Sequence, residues 1–344
     1  MGTVILGTIN SGNLSIDPVV AAANAATMDL SAVTGAYNPA AGVVQPFRTA
    51  GNLTGYYHTT RTVPFIYMAP TAAAPSGGYP LVIFQHGITS QKESIVAVAQ
   101  SLTAIGRAVV AIDMPLHGAL AVPTHTTGTA WGQDFMAVGA PLATRSNIQQ
   151  GAFNLNRLEL TARAHGFDGL GAASPSVTDI KFLGHSLGGI VGTYYLAGNT
   201  TLAASGLPYT QTTLNTDMKG LLAVPAGNTA YTIQNSGSFG ATVDAGLLAV
   251  GITKNSPTYH QFFLVTQAVV DPADPASMTT PLAPGLPSRL SNRVMMQEST
   301  TTTYTAILGS DGLPTPSNGD LTISNAYTRY FANALGGRDR KSVV

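Results

Sequence analysis

The residues best suited to do chemistry lie in Gly184-His185-Ser186-Leu187-Gly188-Gly189. This is the spacing G-x-S-x-G. Small residues on either side of a serine let the chain turn sharply and hold the hydroxyl clear of its own backbone. The chemistry served is acyl transfer, in which Ser186 attacks a carbonyl and an oxyanion develops. That charge is held best by backbone N–H groups. One donor is expected at Leu187, the residue after the nucleophile. The other is expected at Ile88, in Gln85-His86-Gly87-Ile88, where Gly87 lets the loop bend close.

A serine nucleophile also needs an imidazole base and an orienting acid, in the chain order Ser, Asp/Glu, His. The acids after Ser186 include Asp217, Asp244, Asp271, Asp274, Glu298, Asp311 and Asp320. Asp320 is preferred, because Gly319 to Asn325 leads from a late strand into a last helix. The histidines are His58, His86, His117, His125, His165, His185 and His260, and none follows Asp320. Either His260 serves from an unusual position, or the base is missing. The second is expected. The tail 338–344 changes character, and Asp339 to Val344 reads as one frame of a common sequencing adapter. On that reading the gene fragment ends there and a final strand with its histidine is lost.

Elements must position these groups. Leu81 to Phe84 and Ala108 to Ile112 are apolar runs without alternation, as in strands covered on both faces. Between them, Ser90-Gln91-Lys92-Glu93 fits a capping box opening a helix that Gly106 closes. The alternation continues with a helix at 147–163, a strand at 180–183, a helix at 188–197 closed by Gly198, strands at 220–224 and 293–297, and a helix at 324–335. Buried strands alternating with helices predict a mostly parallel sheet flanked by helices. The segment 1–60 reads as irregular chain packed on a domain spanning 61–337. The segment from about 199 to 290 reads as a lid-like insertion over the sheet. The Phe262-Phe263-Leu264-Val265 run and Trp131 suit the core, or an acyl pocket.

Composition narrows the function. The chain has 344 residues, equal numbers of acidic and basic side chains, 9% charged residues and no cysteine. Nucleic-acid binding needs a basic face, which is lacking. Thiol nucleophiles and cysteine metal sites are excluded. His117, His125 and Asp113 form only a loose cluster without metal-ligand spacing, so no metal or other cofactor is expected. Met1 to Leu6 has no basic region before an apolar stretch and is not read as a signal peptide.

Several segments together resemble a known group. These are Phe84 to Ser90 with Lys92-Glu93-Ser94, Ile112 to Gly118, Thr144 to Gln150, Gly184 to Gly192, Ser238-Phe239-Gly240, Gln267 to Asp271 with Asp274-Pro275, and Gly319 to Asn325. They are similar to the extracellular lipases and lysophospholipases of aquatic Gram-negative bacteria, the virulence-factor type of α/β-hydrolase. The resemblance covers roughly residues 55 to 335. It implies an α/β-hydrolase fold, hydrolysis of acyl-lipid esters, a Ser–Asp–His triad, transient contact with a lipid interface, and export from the cell. It has no counterpart here for the catalytic histidine, and a longer loop, Thr300 to Asn318, precedes Asp320. The rival readings are a non-catalytic lipid- or polymer-binding protein on this fold, a polyester-degrading esterase, and a peptidase.

Overall fold

The structure is a computed structural model. It describes residues 4–12, 37–38, 43–44, 60–165, 167, 170, 174–204, 218–281, 288–299, 307–308, 314–315 and 320–336. His58, the tail 338–344 and most of the Thr300–Asn318 loop therefore lie outside the described residues.

Seven strands form one sheet: β1 (Val4–Gly12), β2 (Thr60–Met68), β3 (Tyr79–Gln85), β4 (Ala108–Ile112), β5 (Pro175–His185), β6 (Gly220–Ala223) and β7 (Val294–Gln297). Their spatial order is β1-β2-β4-β3-β5-β6-β7. β2 pairs antiparallel with both β1 and β4, whereas every pair from β4 to β7 is parallel. Segment 1–60 is thus not wholly irregular: Val4–Gly12 is an edge strand in register with Thr60–Met68.

The central strands are buried on both sides, so successive residues feed two cores. Leu81, Ile83, Val110 and Ile112 pack on one face; Val82, Phe84, Val109 and Ala111 pack on the other. The second face is covered by a 3-10 turn at Lys92–Ile95 and by α1 (Val96–Ala104). The first carries α3 (Pro141–His165) and α4 (Leu187–Ala204). A short helix, α2 (Gly128–Phe135), lies between β4 and α3. The chain from 229 to 270 is helical: α5 (Thr229–Gln234), α6 (Gly240–Ala249) and α7 (Pro257–Val270). The last element is α8 (Asn325–Ala334), capped by the Ser324 hydroxyl, which accepts from Ala326 N–H. This strand order, with one reversed strand and helices on both faces, is the α/β-hydrolase fold.

Three local expectations need correction. The Ser90–Glu93 capping box does not form: the turn begins after Gln91 with no side-chain cap, and the Lys92 N–H is taken by Asp113 Oδ1 at 2.7 Å. Gly198 does not end its helix, which runs on to Ala204: unlike Gly106 it does not take the left-handed conformation that closes a helix. The Phe262–Val265 run is not a single buried stretch. On α7, Phe263 is buried while Leu264 and Val265 are exposed, since neighbours on a helix point about 100° apart. By contrast Gly106 (φ +82) does close α1, with Arg107 N–H returning to Leu102 O.

Candidate active site

β5 ends at His185 and α4 begins at Leu187, so Ser186 alone makes the turn between them. It does so at φ +54, in the left-handed region that side chains rarely adopt. Such strain persists only where the surroundings enforce it. Here Ser186 N–H donates to Ala223 O at 2.8 Å, tying the turn to β6. Its carbonyl accepts from Gly189 N–H at 2.7 Å and Ile190 N–H at 3.2 Å, which starts α4. The turn also needs close backbone approach. A Cβ on Gly184 would strike the Gly188 carbonyl, and one on Gly188 would strike the carbonyls of Gln85 and His86. The two glycines of G-x-S-x-G therefore let the turn close on itself and let α4 sit against the end of β3.

The loop leaving β3 lies against the serine. A Cβ on Gly87 would fall 3.2 Å from Ser186 Cβ and 3.1 Å from His185 Nδ1. The structure therefore brings Gly87, with Ile88 beside it, and Leu187 to the same hydroxyl-bearing turn. Leu187 is the first residue of α4, where an N–H has no carbonyl partner within the helix. Helix α2 closes over the loop from outside: Gly128 is seated on the Thr89 carbonyl and Gly132 on the Ile88 side chain.

The polar groups beneath this loop are committed to holding it. His86 is fully buried. Its Nε2 accepts from Met114 N–H at 3.0 Å, so Nδ1 carries the proton and donates to Gly87 O at 2.8 Å. Burial pushes its pKa down to about 4, and Lys92 and His185 push the same way, against the Gly87 bond. Asp113, also fully buried, accepts from Lys92 N–H and Nζ (2.7 and 3.0 Å) and from Ala119 N–H (2.9 Å). This joins the start of the α1 region to the loop after β4. His117 donates from Nδ1 to Pro115 O at 3.0 Å and lies among His86, Trp131 and Phe135. Its Nε2 is buried without a partner. Burial lowers its pKa to about 4 as well, with His86 adding to the effect.

The remaining expected residues are not joined to the serine. Asp320 Oδ1 accepts from Thr322 N–H and Ile323 N–H (2.7 and 3.1 Å), which shapes the loop before α8. Among the described residues no imidazole bonds to Asp320 and none bonds to the Ser186 hydroxyl. His260 is exposed on α7, its ring edge-on to Tyr259. His125 Nδ1 pairs with Asp134 at 2.6 Å. Asp274, one of the acid candidates, is buried and bonds to Asn228 N–H, Thr229 N–H and hydroxyl, Gln267 Nε2 and Ala276 N–H. It anchors α5. Glu298, at the end of β7, is paired with Arg329 at 2.8 Å. Among the described residues no three metal-ligating side chains gather.

Sequence reasoning missed what holds the loop. The Asp113–Lys92 and His86–Met114 contacts link positions far apart in the chain, and no local pattern announces them. A cleft was also not foreseen. It lies between α3 and the α5–α7 helices and is lined by Val138, Thr144, Thr229, Ile233, Phe263 and Thr266, among others.

No protein-family model and no curated protein matches the chain. Solved structures do. The acetyl xylan esterase from Paenibacillus sp. R4 is 14% identical with a TM-score of 0.48, the match covering 80% of this chain and 71% of that one. The acylaminoacyl peptidase of Pyrococcus horikoshii is 13% identical with a TM-score of 0.41, covering 80% of this chain and 33% of that one. A hyperthermophilic esterase from the archaeon Pyrobaculum calidifontis is 16% identical with a TM-score of 0.36, covering 68% and 59%. This chain thus spans less than two thirds of the length of the last two.

Proposed function

We propose that this chain is a serine hydrolase that cleaves carboxylic esters through an acyl-enzyme on Ser186. One observation carries the reading: Ser186 sits at φ +54 on a strand-to-helix turn, with Gly87 of the neighbouring loop against its Cβ. A strained serine beside two sets of backbone amides suits attack on an ester carbonyl. The hydroxyl oxygen attacks the carbonyl carbon. The N–H groups of Leu187 and Ile88 hold the resulting oxyanion. The alkoxide leaves with a proton, and water then releases the acid. Asp320 would orient the base in this scheme. An acyl lipid as substrate, contact with a lipid interface and export from the cell belong to the same proposal and rest on the sequence resemblance.

A fluorophosphonate probe tests it. Covalent labelling is expected on Ser186 and absent in Ser186→Ala; an unlabelled chain, or labelling undiminished by the substitution, overturns the assignment. Since no imidazole among the described residues bonds to the Ser186 hydroxyl, hydrolysis of p-nitrophenyl butyrate is expected to run about 10³-fold or more below that of a complete triad. The competing reading, a binding protein on this fold, predicts no labelling at all.

A further inference from the structure

The loop leaving β3 is held in a conformation its residues do not favour. Ser90 N–H donates to Gly87 O at 3.3 Å, so residues 87–90 close a turn. Its third residue, Thr89, stands at φ +63, while Ile88 before it is not left-handed. A turn of that pattern ordinarily has glycine or asparagine in third place. A β-branched residue there persists only where its surroundings enforce it.

Helix α2 supplies the enforcement. A Cβ on Gly132 would fall 3.0 Å from Ile88 Cγ1, 3.1 Å from Thr89 Cγ2 and 3.3 Å from Ile88 Cδ1. One turn earlier, Gly128 is seated on the Thr89 carbonyl. The helix is itself tied at both ends. At its start the Thr127 hydroxyl accepts from Ala130 N–H at 3.3 Å, Trp131 Nε1 donates to His125 O at 2.6 Å, and His125 Nδ1 meets Asp134 at 2.6 Å. At its end Phe135 is fully buried, and its carbonyl accepts from Asn147 Nδ2 of α3 at 3.0 Å. A helix anchored in this way passes a push on to the loop instead of yielding to it.

We infer that Gly132 is a positioning residue: its lack of a side chain lets α2 seat on Ile88 and Thr89 at the depth that sets the Ile88 N–H beside Ser186. This rests on the hydrolase reading for the task of that N–H, but not for the grip of α2 on the loop. The link to the nucleophile is short, since Ile88 follows Gly87, whose Cβ position lies 3.2 Å from Ser186 Cβ. A methyl at position 132 forces its neighbours to give by a few tenths of an ångström. Displacements of that size matter to an oxyanion donor, which must meet a narrow range of distance.

The test is Gly132→Ala. Labelling of Ser186 by a fluorophosphonate probe is expected to slow about tenfold, and kcat for p-nitrophenyl butyrate to fall with it. KM should move less than about twofold, because the oxyanion exists only on the way to product. Ile88→Ala trims away the crowded Cγ1 and Cδ1 but keeps the backbone N–H. Added to Gly132→Ala, it should restore more than about half of the labelling rate, as expected of two residues coupled by contact. Alanine suits a helix interior better than glycine, so Gly132→Ala should melt within about 4 °C of the parent. An unchanged labelling rate overturns the inference. So does a loss that accompanies a much lower melting point and is not relieved by Ile88→Ala, which is plain destabilisation. Amide exchange needs no turnover: residues 86–91 should exchange about tenfold faster in Gly132→Ala, with β3 and β4 unchanged. If the parent is never labelled, the hydrolase reading fails while exchange still decides whether α2 holds the loop. Faster exchange with labelling unchanged overturns the positioning role. Should Gly132→Ala not fold, Ile88→Ala alone decides. By opening a gap beneath α2 it should quicken exchange at 86–91 and slow labelling, and leaving both unchanged overturns the inference.

Discussion

Protonating His86 would aim a new N–H at the Met114 N–H that now donates to it. It would also charge a fully buried ring that faces Lys92, His185 and His117. His117, beside it, has Asp113 as its one favourable charge. Both pKa values fall from the ordinary 6.5 to about 4. Between those limits the unfolded chain binds protons that the folded chain does not, so stability is complete above pH 6.5 and drains away as the pH falls toward 4. Each histidine contributes a slope of at most about 1.4 kcal/mol per pH unit. Urea unfolding from pH 7 to 4 should show this decline. His117→Phe, which keeps the ring among Trp131 and Phe135, should flatten it; an equal slope in the variant would show that His117 takes no part. Sequence reasoning placed Ser186 and Leu187 at a strand-to-helix turn and Gly87 and Ile88 on the loop after β3, where the structure has them, because a tight turn needs particular residues at fixed offsets. It could not read the role of His86, since the donor to its Nε2 is a backbone N–H 28 positions away.

An element's boundary depends on what competes for its end groups. Ser90 and Glu93 have the spacing of a capping box, yet the Ser90 N–H that Glu93 would take bonds to Gly87 O, and the turn is held instead at Lys92 N–H by Asp113 from the end of β4. Asp113 does more than cap. It holds Lys92 Nζ and Ala119 N–H, and a Cβ on Gly118 (φ +52) would lie 2.6 Å from its carboxyl carbon. Asp113→Ala would leave Lys92 largely buried with Glu93 alone as its counter-charge. The expected cost is about 3 kcal/mol by urea unfolding, the usual result of removing one partner of a buried pair. Ester hydrolysis should fall with it, since Ile88 and Thr89 lose an anchor. A loss below about 0.5 kcal/mol would mean that water replaces the carboxylate. The parallel strands were legible because burial on both faces leaves unbroken apolar runs. β2 was not. Its Pro64 argues against a strand in sequence, but pairing with β4 starts only at Phe65, so the missing N–H faces no β4 partner.

At the scale of the whole molecule, two bodies of unequal cohesion meet across the cleft. The sheet, α3 and α4 share one continuous core, whereas α5, α6 and α7 close around a small cluster of their own: Ala230, Leu247, Tyr259 and Phe263. That cluster leaves Leu248, Val250, Leu264 and Val265 exposed. What ties it to the rest is narrow: Asp274 on the amides of Asn228 and Thr229, and Val270 and Ile233 packed against the main core. Few buried apolar contacts mean a low free energy of local opening. Amide exchange in 229–270 should therefore run faster than in β3, β4 and β5, and with a weaker dependence on global stability. Phe263→Ala removes the ring that belongs both to this cluster and to the cleft wall. It should cost about 3 kcal/mol and accelerate exchange in α5 to α7 by a factor of about 10 or more relative to the sheet. If exchange in the sheet quickened equally, the helices would open only with the whole molecule, and 229–270 would have no independent motion.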